Sequence, residues 1–197
     1  MSDRDTISIY DEQAQRYAEL TDESNKADRG MTDFIAAVPK GGRVLDLGCG
    51  PGASAVIMAQ AGLVVDATDA SAEMVRMAAA HPDVQARQAE FDDLDAVRIY
   101  DGIWANFSLL HAKRSEFPAH LRAINTALKP GGVFYIAMKL GQGEGPDRLG
   151  RFYCYYDAPE LEGCLRHAGF TVTGRWTGSG TGLDGSESEW IRLAAHA

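Results

Sequence analysis

The sequence predicts a three-layer α/β domain, built on a doubly wound, mostly parallel seven-stranded sheet with an antiparallel strand pair at one edge. From residue 43 onward, short apolar runs alternate with amphipathic segments, and a glycine-rich turn follows the first run. Parallel strands need crossover connections, which are usually helices, so this alternation predicts βαβ units. Near the end of the chain two strand-like segments follow one another without a helix between them, which predicts an antiparallel pair.

The individual elements follow from hydrophobic periodicity and from glycine and proline at the segment ends. Five parallel strands are predicted in RVLDLG, LVVDATD, VQARQAEF, YDGIWANFSLL and GVFYIAMK, and the edge pair in TVTGRWTG and EWIRLAAH, joined by a glycine/serine loop. Helices are predicted in ASAVIMAQAG, SAEMVRMAAAH, EFPAHLRAINTAL and APELEGCLRHAGF.

We expect a single domain over residues 1–197, with two additions to the sheet. Residues 1–40 are polar and contain two helix-like patterns, and IYDEQAQRYAEL places Tyr10, Ala14 and Tyr17 on one helical face. This segment is predicted to form a helical cap. Residues 139–157 follow the fifth strand and form a candidate lid loop.

Composition narrows the classes of partner. The formal net charge is −9, and lysine and arginine are scattered, which argues against nucleic acid and anionic membrane surfaces. No apolar run is long enough to cross a bilayer, and the N-terminal residues lack the apolar core of a secretory signal. Three cysteines without metal-ligand spacing favour a reduced, cytoplasmic compartment and no metal site. The expected partner is a small molecule, and the oligomeric state is left open.

The stretch VLDLGCGPG is the strongest candidate binding element. Gly48, Gly50 and Gly52 follow a buried strand on alternate positions, where they let the backbone turn sharply and approach a ligand. Dinucleotide sites use the spacing G-x-G-x-x-G, whereas this stretch has its third glycine one residue early and Ala53 at the last position, a substitution that some dinucleotide folds tolerate. Asp46 lies two residues before the first glycine and would repel a phosphate. It suits a ligand with an ammonium or several hydroxyls, although it can also cap the glycine turn.

A second acidic residue ends the next strand. Asp69 follows Gly52 by 17 residues, and an acid at about that spacing can accept both hydroxyls of a ribose. Strand alternation directs Asp66 to the other side. Asp69 can also serve as the N-cap of the next helix, but Ser71 fits that position better.

Four motifs in order now resemble a known family. VLDLGCGPG, VVDATDASAEM, YDGIWAN and LKPGGVFYIAM together resemble the class I S-adenosylmethionine-dependent methyltransferases, which have a Rossmann-like fold. The similarity runs from about Val44 to Met138. It is greatest to small-molecule enzymes of the tellurite-resistance and ubiquinone-biosynthesis kinds.

The resemblance implies S-adenosylmethionine as cofactor, S-adenosylhomocysteine as product, and methyl transfer to O, N, S or a heavier chalcogen. Asp46 and the backbone of Gly48 are expected at the methionine end, and Asp69 at the ribose. Gly50 and Gly52 would leave room for the sugar and the methionine chain.

Further cofactor contacts are implied on the neighbouring strands and the N-terminal helix. Ala70 and Met74 would line the adenine, as would Glu90 and Phe91, where Asp92 is an alternative acid. The remaining implied contacts are Asn106 and Phe107 beside the sulfonium, and Tyr17 over the cofactor.

Methyl transfer from a sulfonium requires mainly in-line alignment, with a base only where the acceptor must lose a proton. His111 is the candidate base, although it can equally be structural. We expect the other histidines, His120 among them, at the surface. Strand four lacks the Asn/Asp-Pro-Pro pattern of nucleic-acid amino-methylating enzymes, and no Pro-Cys pair for cytosine methylation occurs.

The segment KLGQGEGPDRLGRFYCYYDAPE is a candidate acceptor site. Its glycines favour a lid, and Arg148 and Arg151 match the geometry of an anionic group, with Tyr153 beside them. The alternative is a surface loop whose tyrosines pack on the sheet.

Two other functions remain open from sequence. One is a nicotinamide-dependent oxidoreductase, which Asp46 and the glycine spacing disfavour. The other is a non-catalytic module that binds the cofactor without turnover.

Overall fold

A computed structural model describes residues 3–26 and 29–197. Its central sheet has seven strands in the order β3-β2-β1-β4-β5-β9-β8, and a two-stranded sheet pairs β6 with β7. The strands are β1 Arg43–Leu47, β2 Val64–Asp69, β3 Val84–Gln88, β4 Tyr100–Asn106, β5 Leu128–Lys139, β6 Glu144–Pro146, β7 Phe152–Cys154, β8 Thr171–Thr181 and β9 Glu187–His196.

Helices flank the sheet on both faces. They are α1 Arg4–Lys26, α2 Arg29–Ala37, α3 Ala53–Gln60, α4 Ala72–Ala78, α5 Phe117–Ala127 and α6 Ala158–His167, with two 3-10 helices at Phe91–Asp93 and Leu109–His111.

The predicted fold class is confirmed by this topology. β1 to β5 are mutually parallel, whereas β9 and β8 run antiparallel at one edge. One apolar core lies against α5 and α6, and the other lies against α2 and α3, so the molecule has three layers. In the second core Trp104 stacks on Tyr135 with ring centroids 3.8 Å apart.

The strand order places a ligand crevice. β1 lies between β2 and β4 in the sheet. The chain therefore adds β2 and β3 on one side of β1, and β4 and β5 on the other side. In open α/β sheets ligands bind beyond the carboxyl ends of the strands at such a switch point. The residues that follow β1, β2 and β4 are those that the sequence marked as candidate site residues.

Some predictions needed correction in detail. The glycine/serine loop is shorter than expected, because cross-strand pairing extends β8 to Thr181 and starts β9 at Glu187. The candidate lid loop, 139–157, contains the β6–β7 hairpin. His120 was expected at the surface, but only 5% of it is exposed, because α5 presses its ring against Phe91 with centroids 5.6 Å apart.

None of the helices in residues 3–26 and 29–197 is both long and apolar enough to cross a membrane.

Candidate functional site

A cavity lies at the carboxyl ends of β1, β2 and β4, beneath the first turns of α1. About 700 Å³ of space that no atom fills lies within it, part of it open to solvent. A second cavity adjoins it on the β9 side of the glycine loop. Eleven of the thirteen sequence-predicted catalytic and cofactor residues line the first cavity: Tyr17, Gly48, Gly50, Asp69, Ala70, Met74, Glu90, Phe91, Asn106, Phe107 and His111.

Hydrogen bonds to β2 hold the glycine loop in place. The backbone N–H groups of Gly48 and Cys49 both donate to the carbonyl of Thr68, at 2.8 and 2.9 Å. The N–H of Gly50 donates to the Asp69 carboxylate at 2.8 Å. The loop that follows β1 is therefore fixed by the end of β2, next to the cavity.

The three glycines of the loop have left-handed φ angles, but their surroundings differ. A Cβ on Gly48 would lie 2.3 Å from the Cβ of Ser108, and one on Gly52 would lie 2.9 Å from Ala78 on α4. At Gly50 the nearest atom would belong to Tyr17, at 3.4 Å. Close packing therefore explains why glycine stands at positions 48 and 52. Gly52 lines neither cavity. Gly50 faces the open space beneath α1.

Asp46 is a buried acid with an unsatisfied oxygen. Only 2% of the residue is exposed, it lines the second cavity, and its Oδ2 has no hydrogen-bond partner among the described residues. Burial, and then the neighbouring Asp69 carboxylate, raise the pKa of Asp46 to about 8. Burying a carboxylate without a partner carries a large desolvation cost, which a bound cation would offset. Residues and charge therefore fit a ligand ammonium at this point.

Asp69 faces the first cavity, and hydrogen bonds from two backbone N–H groups fix the position of its carboxylate. Its carboxylate accepts hydrogen bonds from the N–H groups of Gly50 and Ser71, at 2.8 and 2.9 Å. Burial raises the pKa of Asp69, and these hydrogen bonds oppose the shift. Asp66 points to the other side, as expected, and pairs with Arg43 at 2.9 Å.

Ser71 caps α4 and connects it to α1. Its Oγ accepts from the N–H of Met74 at 3.1 Å and donates to the carboxylate of Asp11 at 2.6 Å. The cap position expected for Ser71 is therefore confirmed. The contact also positions α1 above the cavity.

The far wall of the first cavity is formed by the segment after β3. Glu90 and Phe91 line it, whereas Asp92 does not. Glu90 and Asp93 cap each other's backbone across the 3-10 helix, with the Glu90 N–H donating to Asp93 at 2.8 Å. This wall faces Met74, which is 1% exposed.

Two residues at the carboxyl end of β4 show signs of a functional position. The Oδ1 of Asn106 is buried without a hydrogen-bond partner in the described part of the chain. Phe107 has a φ of 55°, a left-handed conformation that is unusual for a bulky residue. Backbone strain of this kind clusters at ligand sites.

Tyr10 of α1 is a site residue that the motif reasoning missed. It lines the first cavity with Thr6 and Ile7, and its hydroxyl lies 2.9 Å from the Nε2 of His111. The sequence signal was its position on one helical face with Tyr17, of which only Tyr17 was assigned to the site.

His111 is held at both ring nitrogens. Its Nδ1 lies 2.6 Å from the carbonyl oxygen of Phe152, which can only accept, so Nδ1 carries the proton. Nε2 is then an acceptor for the Tyr10 hydroxyl. Burial lowers the pKa of His111 to about 4, so the ring is neutral near pH 7. Proton abstraction directly from an acceptor would require one of these contacts to break.

The predicted acceptor residues do not line the two cavities. Arg148 is exposed, and Tyr153 packs against His111 with centroids 4.7 Å apart. Arg151 is only 1% exposed, because its guanidinium is bound to Asp147 at 2.6 Å and donates to the Tyr10 hydroxyl at 3.0 Å. This buried network connects the β6–β7 hairpin to α1.

No group of three or more His, Cys, Asp or Glu side chains suited to a metal ion occurs within residues 3–26 and 29–197.

Comparison with known proteins shows to which family this sequence is similar. The family model described as "Methyltransferase domain" matches residues 10–174. The cypemycin N-terminal methyltransferase of a Streptomyces species is 34% identical over 136 residues, which is 66% of this chain and 56% of the relative. The trans-aconitate 2-methyltransferase of Azoarcus sp. (strain BH72) is 36% identical over 147 residues, covering 70% of this chain and 54% of the relative.

The chain therefore matches just over half the length of these curated relatives. Among solved structures, the 1,6-didemethyltoxoflavin-N1-methyltransferase of Burkholderia thailandensis has a TM-score of 0.70 at 21% identity. The match covers 96% of this chain and 87% of that structure. At this level of sequence identity, the similarity shows a shared fold only.

Proposed function

The chain belongs to the methyltransferase domain family, and on that premise we propose that it uses S-adenosylmethionine to methylate a small-molecule acceptor. The observation that carries this proposal is the pair of buried acids, Asp46 and Asp69, on either side of the glycine loop. One has an unsatisfied oxygen suited to an ammonium, and the other faces the cavity where a diol would lie.

The positions of these two acids determine which residues would hold each part of the cofactor. Asp46 would bind the ammonium of the methionine end, and Asp69 the ribose hydroxyls. The adenine would lie between Met74 and the wall formed by Glu90 and Phe91, with Ala70 beneath it.

At the reacting end, Asn106 and Phe107 would flank the sulfonium under Tyr17, which lines both cavities. The cofactor supplies an activated methyl group, whose transfer needs little beyond alignment. The protein's contribution is to hold the acceptor in line and exclude water. The closeness of α1 to the glycine loop supports this role.

We propose that His111 acts through Tyr10. The neutral imidazole accepts a hydrogen bond from the Tyr10 hydroxyl, whose oxygen would then present a lone pair to the cavity. Arg151 donates to the same oxygen from behind. This arrangement suits an acceptor that hydrogen-bonds to Tyr10 and needs no strong base. The anion clamp predicted for Arg148 and Arg151 is not favoured, since one is outside the cavities and the other is already paired with Asp147.

Calorimetric titration with S-adenosylmethionine and S-adenosylhomocysteine tests cofactor binding. We expect dissociation constants in the micromolar range or tighter. Turnover is tested by mass spectrometry of S-adenosylhomocysteine formed with a panel of amines, phenols, thiols and carboxylic acids. Binding without turnover of any acceptor would favour the non-catalytic module, and no binding of either nucleoside would overturn the proposal.

A further inference from the structure

Two consecutive residues of α1 attach this helix on either side of the glycine loop. Tyr10 lies 2.9 Å from His111, in the 3-10 helix that follows β4. Asp11 accepts hydrogen bonds from the start of α4, which follows β2. Because β1 lies between β2 and β4 in the sheet, α1 spans the loop that follows β1. The first cavity lies beneath this part of the helix.

Asp11 makes both contacts with the start of α4 through one carboxylate oxygen. Its Oδ1 accepts from the Oγ of Ser71 at 2.6 Å and from the backbone N–H of Glu73 at 3.1 Å. Ser71 is buried, with 1% of the residue exposed, so water has little access as an alternative partner for its hydroxyl. A carboxylate is a stronger acceptor than a neutral oxygen. The contact therefore fixes the start of α4 as well as α1.

The start of α4 carries the parts of the site that would receive the nucleoside half of the cofactor. The backbone N–H of Ser71 donates to the Asp69 carboxylate at 2.9 Å. The Oγ of Ser71 accepts from the backbone N–H of Met74 at 3.1 Å. Both Asp69 and Met74 line the first cavity. Ser71 thus connects Asp11 with the proposed ribose acid and with the proposed adenine wall.

We propose that Asp11 is a positioning residue for the nucleoside half of the cofactor, acting through Ser71, an inference that rests on the function proposed above. Asp11 lines neither cavity, so it acts on the ligand without touching it. It keeps α1 closed over the ribose and the adenine. It also holds the start of α4 where Asp69 and Met74 meet these two groups.

The α4 side of α1 can separate at a lower cost than the opposite side. Asp11 is exposed, so water can replace the partners of its carboxylate. On the opposite side, separation would remove the Tyr10 hydroxyl from the guanidinium of Arg151, which is only 1% exposed. A buried donor that loses its acceptor carries the larger penalty. The α1 helix therefore opens on the α4 side, and the Asp11 contact limits how fast the nucleoside leaves.

Two ligands that share the nucleoside half test this assignment. S-adenosylhomocysteine carries the amino-acid end, and 5′-methylthioadenosine lacks it. Asp11→Ala should weaken both by the same factor, about tenfold in calorimetry, with a matching rise in the dissociation rate measured by surface plasmon resonance. Alanine is the best helix former, so α1 is retained. Asp11→Asn should restore most of the affinity, because the amide oxygen can accept the same two hydrogen bonds.

Glu12→Ala is the matched control, since Glu12 is the neighbouring exposed acid of α1 and lines neither cavity. It removes the same charge from the helix and should leave both affinities unchanged. All affinities are measured at a temperature at which circular dichroism shows each variant to be folded. Lower stability by itself then leaves the dissociation constants unchanged.

The assignment is overturned, with the proposed function intact, by unchanged affinities in Asp11→Ala or by a loss that Asp11→Asn does not restore. A loss confined to S-adenosylhomocysteine also overturns it, because the contact would then act at the amino-acid end. Failure of the wild type to bind either ligand would overturn both the assignment and the proposed function.

Discussion

The carboxylate of Asp69 accepts a hydrogen bond from the backbone N–H of Gly50 across 2.8 Å. The acid that ends β2 therefore holds the loop that follows β1, in addition to facing the cavity. Its two functions are inseparable in an alanine variant, which loses both the ligand contact and the hydrogen bond to the loop. An isosteric amide keeps an oxygen for one N–H and removes the charge.

Asp69→Asn should weaken binding of S-adenosylhomocysteine by about 10- to 100-fold, since hydrogen bonds to a charged group contribute about 1.5–3 kcal/mol. Titration calorimetry measures the loss. Asp66→Asn is the control, because Asp66 lies on the opposite side of the same strand and pairs with Arg43. An unchanged affinity in Asp69→Asn would contradict a role for this acid at the ribose.

Cofactor binding should release a proton from Asp46 below pH 8. The raised pKa of about 8 keeps this carboxyl protonated at pH 6.5, where the ligand's amino group is already charged. Pairing with that ammonium favours the ionised carboxylate, so its proton leaves on binding. We expect close to one proton released per ligand at pH 6.5, measured by calorimetry in buffers of different ionisation enthalpy. Asp46→Asn should abolish this release, and an identical proton count in that variant would exclude Asp46 as its source.

Asp46 should also lower the stability of the ligand-free protein as the pH rises. The folded state retains a proton up to about pH 8 that the unfolded state loses near 3.8, so stability falls between these values. The slope is at most about 1.4 kcal/mol per pH unit. Asp46→Asn lacks this titration, and its advantage in unfolding temperature over the wild type should widen from pH 5 to pH 8. Parallel pH profiles for the two proteins in scanning calorimetry would contradict the buried position of this charge.

Tyr10→Phe should destabilise the protein by about 1–3 kcal/mol. Removal of the hydroxyl leaves Arg151 Nη1 and His111 Nε2 without the bonds that it now makes with them, at 3.0 and 2.9 Å. Urea unfolding followed by circular dichroism measures the change. Tyr155→Phe is the control, a partly exposed tyrosine of the same aromatic group. Equal effects of the two substitutions would show that the network contributes nothing specific.

Gly52→Ala should lower the free energy of unfolding by more than the left-handed backbone conformation alone explains. Gly52 and Gly62 have similar φ angles of 91° and 86°, but an added Cβ meets Ala78 at 2.9 Å only in the first case. Both alanine variants bear the left-handed strain of about 1–2 kcal/mol, and Gly52→Ala adds overpacking of about 1–3 kcal/mol. Denaturant unfolding of both variants separates the two costs. Matching losses would place the reason for Gly52 in its conformation instead of its contact with α4.

The order of strands and helices was readable from the sequence because each element depends on local periodicity. The apolar runs, the glycine turn after Leu47 and the cap at Ser71 act within a few residues of one another. The positions of Asp46 and Asp69 at strand ends follow from the same local rules. Parallel pairing then brings those strand ends to one edge, so most of the candidate site could be assigned before the fold was seen.

Tertiary structure alone decided which long side chains reach the site. Arg151 and Arg192 are both arginines in the second half of the chain, and nothing local distinguishes them. A hairpin and a helix enclose Arg151 beside Asp147, whereas β9, which pairs antiparallel with β5, brings Arg192 level with Asn106. Tyr10 meets His111 across 101 positions of the chain. Contacts of this kind depend on how elements pack after they form, and no local pattern encodes that packing.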